Sequence, residues 1–415
     1  MANSKIKNIL VYTQWPFYDG LNLSYVVPCL YMIRKAIPTE SKIYFATQEK
    51  DLTLLQRPEV QTIIAELNKN NIFHYPEKYC NLGIKKVLSL PFNFFKLLLF
   101  VFAKKINVIH TEAMSAGMIG TLLKTFTGKK HIVDSYEPLA YSMIEAGIWP
   151  ANSFAFKLVK YFEKRQAIKG DVIIGTTNAM QEYALTKYGI TLKNFYWKPA
   201  IVDTTKFNFY ESYRNEFRKK YNLENKKVLV YAGKFGGQYL ENETFDFFKA
   251  CYNYWGNDFR ILLLTSHSDK EVADYCTKAK LDISIITKMF VPFPEMYKYL
   301  SIADFAITPV KPIHSKRYCS PIKDGEYWAT GLPVVITENI SDDSDIIQKE
   351  NIGTIITDYT ADGYLKNIKA IETLLTADSI ENVRNRIRAV GIKYRHFDIA
   401  EKVYVDVYTK ILNEY

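Results

Sequence analysis

Residues Ser320–Ile336 read SPIKDGEYWATGLPVVI, and the order of their parts decides the fold. The stretch ends in a short buried-looking strand, PVVI, set off by Gly331 from a segment that begins Ser-Pro and has helical character. A helix feeding a short apolar strand is the repeating half-unit of a parallel α/β sheet. Ser320 suits the N-cap and Pro321 the first helical position. Lys323 is the anomaly: a cation in the first turn opposes the helix dipole by about 0.3–1 kcal/mol, and Asp324 beside it offsets only part of that cost. An anion docked on the free N–H groups of the helix start makes the arrangement favourable, and phosphate is the usual guest. Glu326 lies six residues past Ser320, about 9 Å along the axis at about 1.5 Å per residue, with its side chain leaning back toward the helix start. There a carboxylate can accept from vicinal hydroxyls, as on a ribose. Diphosphate at the cap and ribose one turn deeper is the shape of a nucleotide-sugar. A surface helix start with incidental charges is the other reading that the spacing allows.

Outward from this stretch the same alternation continues. Toward the N-terminus come KKVLVYAGKFGG, FRILLLTS, DISIITKMF and ADFAITPV, and after it GTIITD. A first series precedes them: a strand at Ile9–Tyr12, then KIYFAT, INVIHTEA, KHIVDSYE and GDVIIGTT, separated by helical segments such as 117–126 and 154–168. The pattern breaks at FYWKPAIVDTTKFNF, which places a linker near 198–206. The tail DIAEKVYVDVYTKILNEY has helical apolar spacing. The expectation is an α/β chain with two doubly wound, mainly parallel Rossmann-like domains: residues 1–200, residues 201–397, and a helix over 398–415 that crosses back to the first domain.

The chain has 415 residues, 48% of them hydrophobic and 15% aromatic, enough for more than one core. Lys and Arg number 54 against 44 Asp and Glu, a net charge of +10 that favours anionic partners such as nucleotides or phospholipid headgroups, or serves solubility alone. The basic residues are dispersed and no stacking-platform motif accompanies them, which argues against nucleic acid. Cys29, Cys80, Cys251, Cys276 and Cys319 are odd in number and form no CxxC pair, so neither a disulfide framework nor a zinc site is expected. Residues 1–8 lead into the first strand with no secretory signal visible, giving a cytoplasmic expectation. The segment Lys85–Lys105, KKVLSLPFNFFKLLLFVFAKK, is too short and too interrupted to span a membrane. It is either a helix packed on the sheet or a surface-seeking helix resting on the inner face of the plasma membrane, and the two are compatible if only one face packs.

SPIKDGEYWATGLPVVI resembles the donor-binding segment of GT-B glycosyltransferases, close to family 4 (glycosyl transferases group 1). The resemblance extends to EKRQAIKGDVIIGTTNAMQEYALTKYG, to KPAIVDTTKF, to VYAGKFGG and to YKYLSIADFAITPV, in the family's order. It implies two Rossmann-like domains facing across a cleft that holds the active site. It also implies transfer of a sugar from a nucleotide-sugar donor to a glycan, glycolipid or polysaccharide-precursor acceptor, without cofactor and without a required metal. Glu326 matches the second Glu of the family's Glu-x7-Glu pair, which holds the ribose; Tyr318 stands where the first would be. Lys234 sits where the family has Arg facing the donor phosphates, and Gln238 occupies the neighbourhood of the usual following Lys, which puts more weight on Lys323. With Gly233, Ser320, Pro321 and Ile322 these residues form the implied donor site, and Phe290 and Val291 fall in the loop that borders the base. A bacterial source suits the Lys-, Asn-, Ile- and Tyr-rich composition.

Acceptor groups should come from loops at the C-terminal ends of the first domain's strands. TQWPFYDGLN offers Asp19 with Trp15, Phe17 and Tyr18 for stacking a sugar, and HIVDSYEPLAYS offers Asp134 and Glu137. Asp134, Glu137 and Asp19 are the candidate catalytic carboxylates, as general base or as positioning groups, and each of Asp134 and Glu137 also reads as a plain helix cap. His110 faces the same place or is a packed histidine. DDSD (Asp342–Asp345) reads as a loop or helix start rather than a metal site, and no metal is expected. Two other functions fit the same features: a nucleotide-sugar 2-epimerase, and a catalytically silent nucleotide-sugar-binding subunit.

Overall fold

The structure, a computed structural model, describes residues 7–79 and 84–414. The chain divides into two compact units. One comprises Met1–Ile144, Trp149–Pro199 and Asp398–Tyr415, and the other Glu145–Ile148 and Ala200–Phe397.

The first unit holds seven strands: β1 (Asn8–Tyr12), β2 (Ile43–Glu49), β3 (Ile72–Lys78), β4 (Ile106–Glu112), β5 (Lys130–Ser135), β6 (Val172–Gly175) and β7 (Phe195–Trp197). Their order is β3-β2-β1-β4-β5-β6-β7, and every pairing is parallel. Neither β3 nor β7 belongs to the sequence expectation, because IFHYPEK carries charges and a proline and FYW is only three residues long. β3 is an edge strand, where a proline costs no ladder hydrogen bond. The last helix of the chain, Phe397–Asn413, turns Ala400, Tyr404, Val407, Tyr408 and Ile411 inward, one or two per turn, and Tyr404 and Tyr408 meet residues of β4 and β5. The stretch LNLSYVVPCLYMIRKA opens its helix with a π-helical turn, Asn22–Val26, before the α-helix Val27–Ala36.

The second unit holds β8 (Lys227–Ala232), β9 (Phe259–Leu264), β10 (Ile286–Met289), β11 (Phe305–Thr308), β12 (Val334–Thr337) and β13 (Gly353–Ile356). All pairings are parallel, in the order β10-β9-β8-β11-β12-β13. Alternate residues feed opposite cores, as a sheet covered on both faces requires. Val228, Val230 and Ala232 join Trp328 and Val334 on one side, while Leu229 and Tyr231 join Phe245, Phe248 and Ile368 on the other. In both units the strand order reverses beside the first strand, between β1 and β4 and between β8 and β11. In open α/β sheets, ligands bind outside the carboxyl ends of the strands at such a reversal.

Cys29, Cys251 and Cys276 are unpaired buried thiols, and Cys80 lies outside the described residues. Among the described residues no helix is long and apolar enough to cross a membrane.

Candidate functional site

At the reversal point of the second sheet, β8 runs into Gly233, Gly236 and Gly237, whose positive φ angles of 147°, 85° and 61° favour glycine, the first most strongly. Phe235 anchors this turn. Its ring stacks on Tyr231 at 4.6 Å, and its N–H donates to His267 Nε2 at 2.9 Å. Tyr239, bridged to Gly236 and to Val310, closes the loop. The helix Ile322–Ala329 starts beside it, tied to β8 by the Ala232 N–H, which donates to the Tyr327 hydroxyl at 2.9 Å.

Lys323 reaches from that helix into the glycine turn. Its Nζ lies 4.0 Å from the centre of the Tyr239 ring and 4.9 Å from that of Tyr231. A Cβ placed on Gly233 would come within 2.9 Å of it. Burial lowers the Lys323 pKa to about 8, against the pull of Asp324 and Glu326. Burial likewise pushes Glu326 up to about 7, with Lys323 opposing and Asp324 adding to the rise. Among the described residues Lys323 makes no ion pair within 4 Å and the Glu326 carboxyl accepts no hydrogen bond. Asp324 is committed through one oxygen, to which the Thr308 hydroxyl donates, while its other oxygen keeps no partner, and burial raises its pKa to about 6. A desolvated ammonium and a desolvated carboxyl, neither of them held by an ion pair or a hydrogen bond, thus stand beside a glycine turn at the reversal point, while the turn itself is tied down through the Gly233 and Phe235 N–H groups. Such a trio suits a ligand with both anionic oxygens and hydroxyls.

Two expectations for this helix need correction. Pro321 is the cap residue and the helix begins at Ile322, while the Ser320 side chain makes no cap hydrogen bond. The Ser320 hydroxyl instead accepts from the Ala200 N–H at 3.3 Å and from Arg395. Arg395 explains this. It is 2% exposed, and a buried guanidinium needs partners: it donates to Asp343 and Ser320 and lies over the face of Trp328. Val291 is also misplaced by the sequence reading, since its side chain sits in the core; Phe290 beside it is exposed. Lys234 is exposed, with its carbonyl accepting from Tyr231 at 2.6 Å. DDSD starts a helix, but Asp343 is buried against Arg395 rather than solvated.

One cation was missed. Lys316, in the short turn His314–Tyr318, is 2% exposed and donates to the Gln238 side chain, the residue standing where the resemblance calls for a lysine. Tyr318, in place of the first Glu, is buried and bonded to His314 at 3.1 Å. Lysine in the run HSKRYCS carries no local signal, because its partner lies 78 residues away.

A second polar cluster closes the carboxyl ends of β4 and β5 in the first unit. Asp134 pairs with Lys198 at 2.9 Å and accepts from Tyr404 at 3.1 Å. His110 Nδ1 is 2.8 Å from the Tyr408 hydroxyl, and the Tyr136 hydroxyl donates to Glu112. All of the charged members are fully buried. Burial pushes Asp134 up, but Lys198 and His110 overcome it and hold the carboxyl below its ordinary value. Glu112 rises, through burial and the neighbouring Asp134. The Lys198 pKa is raised: burial opposes its charge, and Asp134 together with Tyr25, Cys29 and Glu112 outweighs burial. His110 Nε2, Glu112 Oε1 and Asp134 Oδ1 keep no hydrogen-bond partner. Among the described residues these three side chains form the one group with metal-ligand spacing, one donor atom from each lying within 4.8 Å of the others. Lys198 already supplies the positive charge that Asp134 needs.

This cluster gathers His110 and Asp134, and Trp15 joins its rim by stacking on Tyr136 at 5.8 Å. The other expected acceptor residues stand apart. Asp19 accepts from the Leu21 N–H at 2.9 Å and organises its own turn. Tyr18 is exposed, whereas Phe17 is buried against Phe45 and His74 and is unavailable for stacking a sugar. Glu137 accepts from Ser142 and lines a small apolar cavity of about 50 Å³ together with Glu163, Tyr183 and Tyr188. Lys198 and Glu112 escaped the sequence reading; the only hint of Lys198 is a lysine between an aromatic strand and a proline.

Neither a protein-family model nor a curated protein matches the sequence. Solved structures do match. A glycosyltransferase from Rickettsia africae is 15% identical with a TM-score of 0.71, over 99% of this chain and 100% of that one. Sucrose-phosphate synthase of Thermosynechococcus elongatus is 13% identical with a TM-score of 0.75, over 99% and 100%. Anabaena HepE, solved in complex with UDP, is 12% identical with a TM-score of 0.71, over 98% and 100%. The chain therefore has the GT-B fold of these proteins.

Proposed function

We propose that this chain is a metal-independent glycosyltransferase that moves a sugar from a nucleoside-diphosphate donor to a glycan, glycolipid or polysaccharide-precursor acceptor. The observation that carries the reading is the uncommitted pair Lys323 and Glu326 beside the Gly233 turn at the β8–β11 reversal. In this reading the diphosphate lies against the glycine turn and the start of the 322–329 helix, with Lys323 as its counter-ion. Glu326 accepts from the ribose hydroxyls. The leaving group in transfer is the nucleoside diphosphate, whose charge grows as the glycosidic bond breaks. An ammonium already stripped of water stabilises that growing charge more than a solvated one does. The fold shared with HepE, solved with UDP and with UDP-glucose, supports uridine as the first base to try. The cluster around Asp134 orders the strand ends on which acceptor loops sit.

Tyr318, standing in place of the first Glu of the pair, keeps two alternatives in play: a 2-epimerase and a silent binding subunit. The test is calorimetric and thermal-shift titration with UDP, GDP, CMP, dTDP and their sugars in the presence of EDTA, followed by turnover of the sugar that binds. A nucleotide held only by the folded state raises the melting point according to its affinity. Tight binding with transfer supports the reading, conversion of donor without acceptor indicates the epimerase, and binding without turnover indicates the silent subunit. No binding to any of them, or binding lost with EDTA, refutes the metal-independent donor site.

A further inference from the structure

Three helices of the first unit, Ile84–Ala103, Ala113–Thr127 and Phe154–Lys169, form a layer in which the middle one packs against both others. The first helix turns Leu97 and Val101 into the core and leaves Phe92, Phe95, Leu99 and Phe102 outside. Their spacing of three, four and three residues puts them on one face. Of the Lys85–Lys105 stretch, the side chains before Phe92 lie outside the described residues. The middle helix contributes Phe126, 5.5 Å from Phe94. The third helix turns Val159, Glu163 and Gln166 inward and presents Phe154, Tyr161 and Ile168, at intervals of seven, outward. All eight of these apolar residues are between 50% and 77% exposed. Isolated exposed apolar residues need no explanation, but eight on three neighbouring helices do.

The charge around them is of one sign. Lys96, Lys104, Lys105, Lys157, Lys164, Arg165 and Lys169 are exposed, and among the described residues none makes an ion pair. The sequences of the three helices contain a single acid, Glu163. It faces inward, accepting from Tyr183, Tyr188 and the Ala140 N–H.

We propose that this three-helix face rests on an anionic lipid bilayer, with the third helix as a contact element equal to the first. Projecting aromatic and aliphatic side chains interspersed with lysine and arginine, and no acid, are the composition of helices that lie in the bilayer interface. The rings reach the acyl boundary while the cations meet lipid phosphates. The inference stands apart from the donor-site reading, since none of these residues belongs to that site.

The test is co-sedimentation of the full chain with phosphatidylcholine vesicles, with and without about a third phosphatidylglycerol, at low and high salt. The full chain should pellet with the anionic vesicles, be released by high salt and stay in solution with phosphatidylcholine alone. The pairs Phe95→Ser with Leu99→Ser, Phe154→Ser with Tyr161→Ser, and Lys164→Glu with Arg165→Glu should each weaken partitioning about tenfold or more while leaving melting and nucleotide binding unchanged. Three results overturn the proposal: no pelleting of the parent chain, wild-type partitioning by both third-helix pairs, or a dimer in light scattering that these pairs convert to monomer. The last would make the face a protein interface.

Discussion

Glu326→Gln separates a ligand-binding carboxyl from a structural one, because the two readings give opposite signs in two assays. Burial takes the Glu326 pKa from 4.5 to about 7. The folded chain therefore holds this proton more tightly than the unfolded chain does. Stability from this group is full below about pH 4.5 and is lost as pH rises through about 7. At 1.36 kcal/mol per pKa unit the loss approaches about 3 kcal/mol above that window. Lys323 is itself part of the local field, so removing the carboxylate also removes support for the ammonium, and the net gain on neutralising residue 326 should be about 1–2 kcal/mol. For a unit of this size that raises Tm by about 2–8 °C. The same substitution exchanges a charge-assisted hydrogen bond to the ribose for a neutral one, costing about 1–2 kcal/mol or roughly tenfold in nucleoside-diphosphate affinity. Scanning calorimetry at pH 5 and pH 8, with isothermal titration at pH 7.5 (a buffer choice, about neutral), reads both effects. The ligand-free variant should melt higher at pH 8 and nearly unchanged at pH 5, and should bind less tightly. A lower melting point at pH 8 with unaltered affinity refutes the reasoning.

Other outcomes follow from the same geometry. Because ligand-free Lys323 titrates near 8 and the ammonium is the anion-binding form, diphosphate affinity should fall about tenfold per pH unit above that point, with proton uptake on binding; a flat calorimetric profile to pH 9.5 or so would remove Lys323 from the site. Gly233→Ala places a methyl against the Lys323 Nζ at a positive φ, a strain of about 1–3 kcal/mol; urea denaturation should show that loss and titration a much weaker nucleotide affinity. Lys198→Met leaves Asp134 buried without its cation, costing about 3–5 kcal/mol in chemical denaturation, and an effect below about 1 kcal/mol would mean the pair is solvated.

How far the sequence speaks depends on the distance between partners. Strand–helix alternation is local, so the parallel sheets and the glycine turn at 233–237 are legible from runs such as VLVYAG and LPVVIT. Lys323 and Glu326 are also legible, because a cation in a first turn and a carboxyl one turn on are anomalies within a single helix. What escapes is set by long-range pairing. Ser320 is an N-cap by its neighbours and an Arg395 acceptor by the fold, and the two lie 75 residues apart. Lys198 declares nothing until β7 brings it to Asp134. β7 itself is too short for any periodicity. Phe17 looks like its neighbours Trp15 and Tyr18 in the sequence, and only packing on Phe45 distinguishes it.

The helix Phe397–Asn413 closes the buried cluster of the first unit, Tyr408 bonding to His110 across 298 positions of chain. During synthesis from the N-terminus, the first unit therefore waits with Asp134, Lys198 and His110 uncovered until residues 397–413 emerge from the ribosome, whereas the second unit, encoded in between, has its parts by residue 397. Order of completion is thus the reverse of order of synthesis. Any change within Phe397–Asn413 acts on the unit whose synthesis began first.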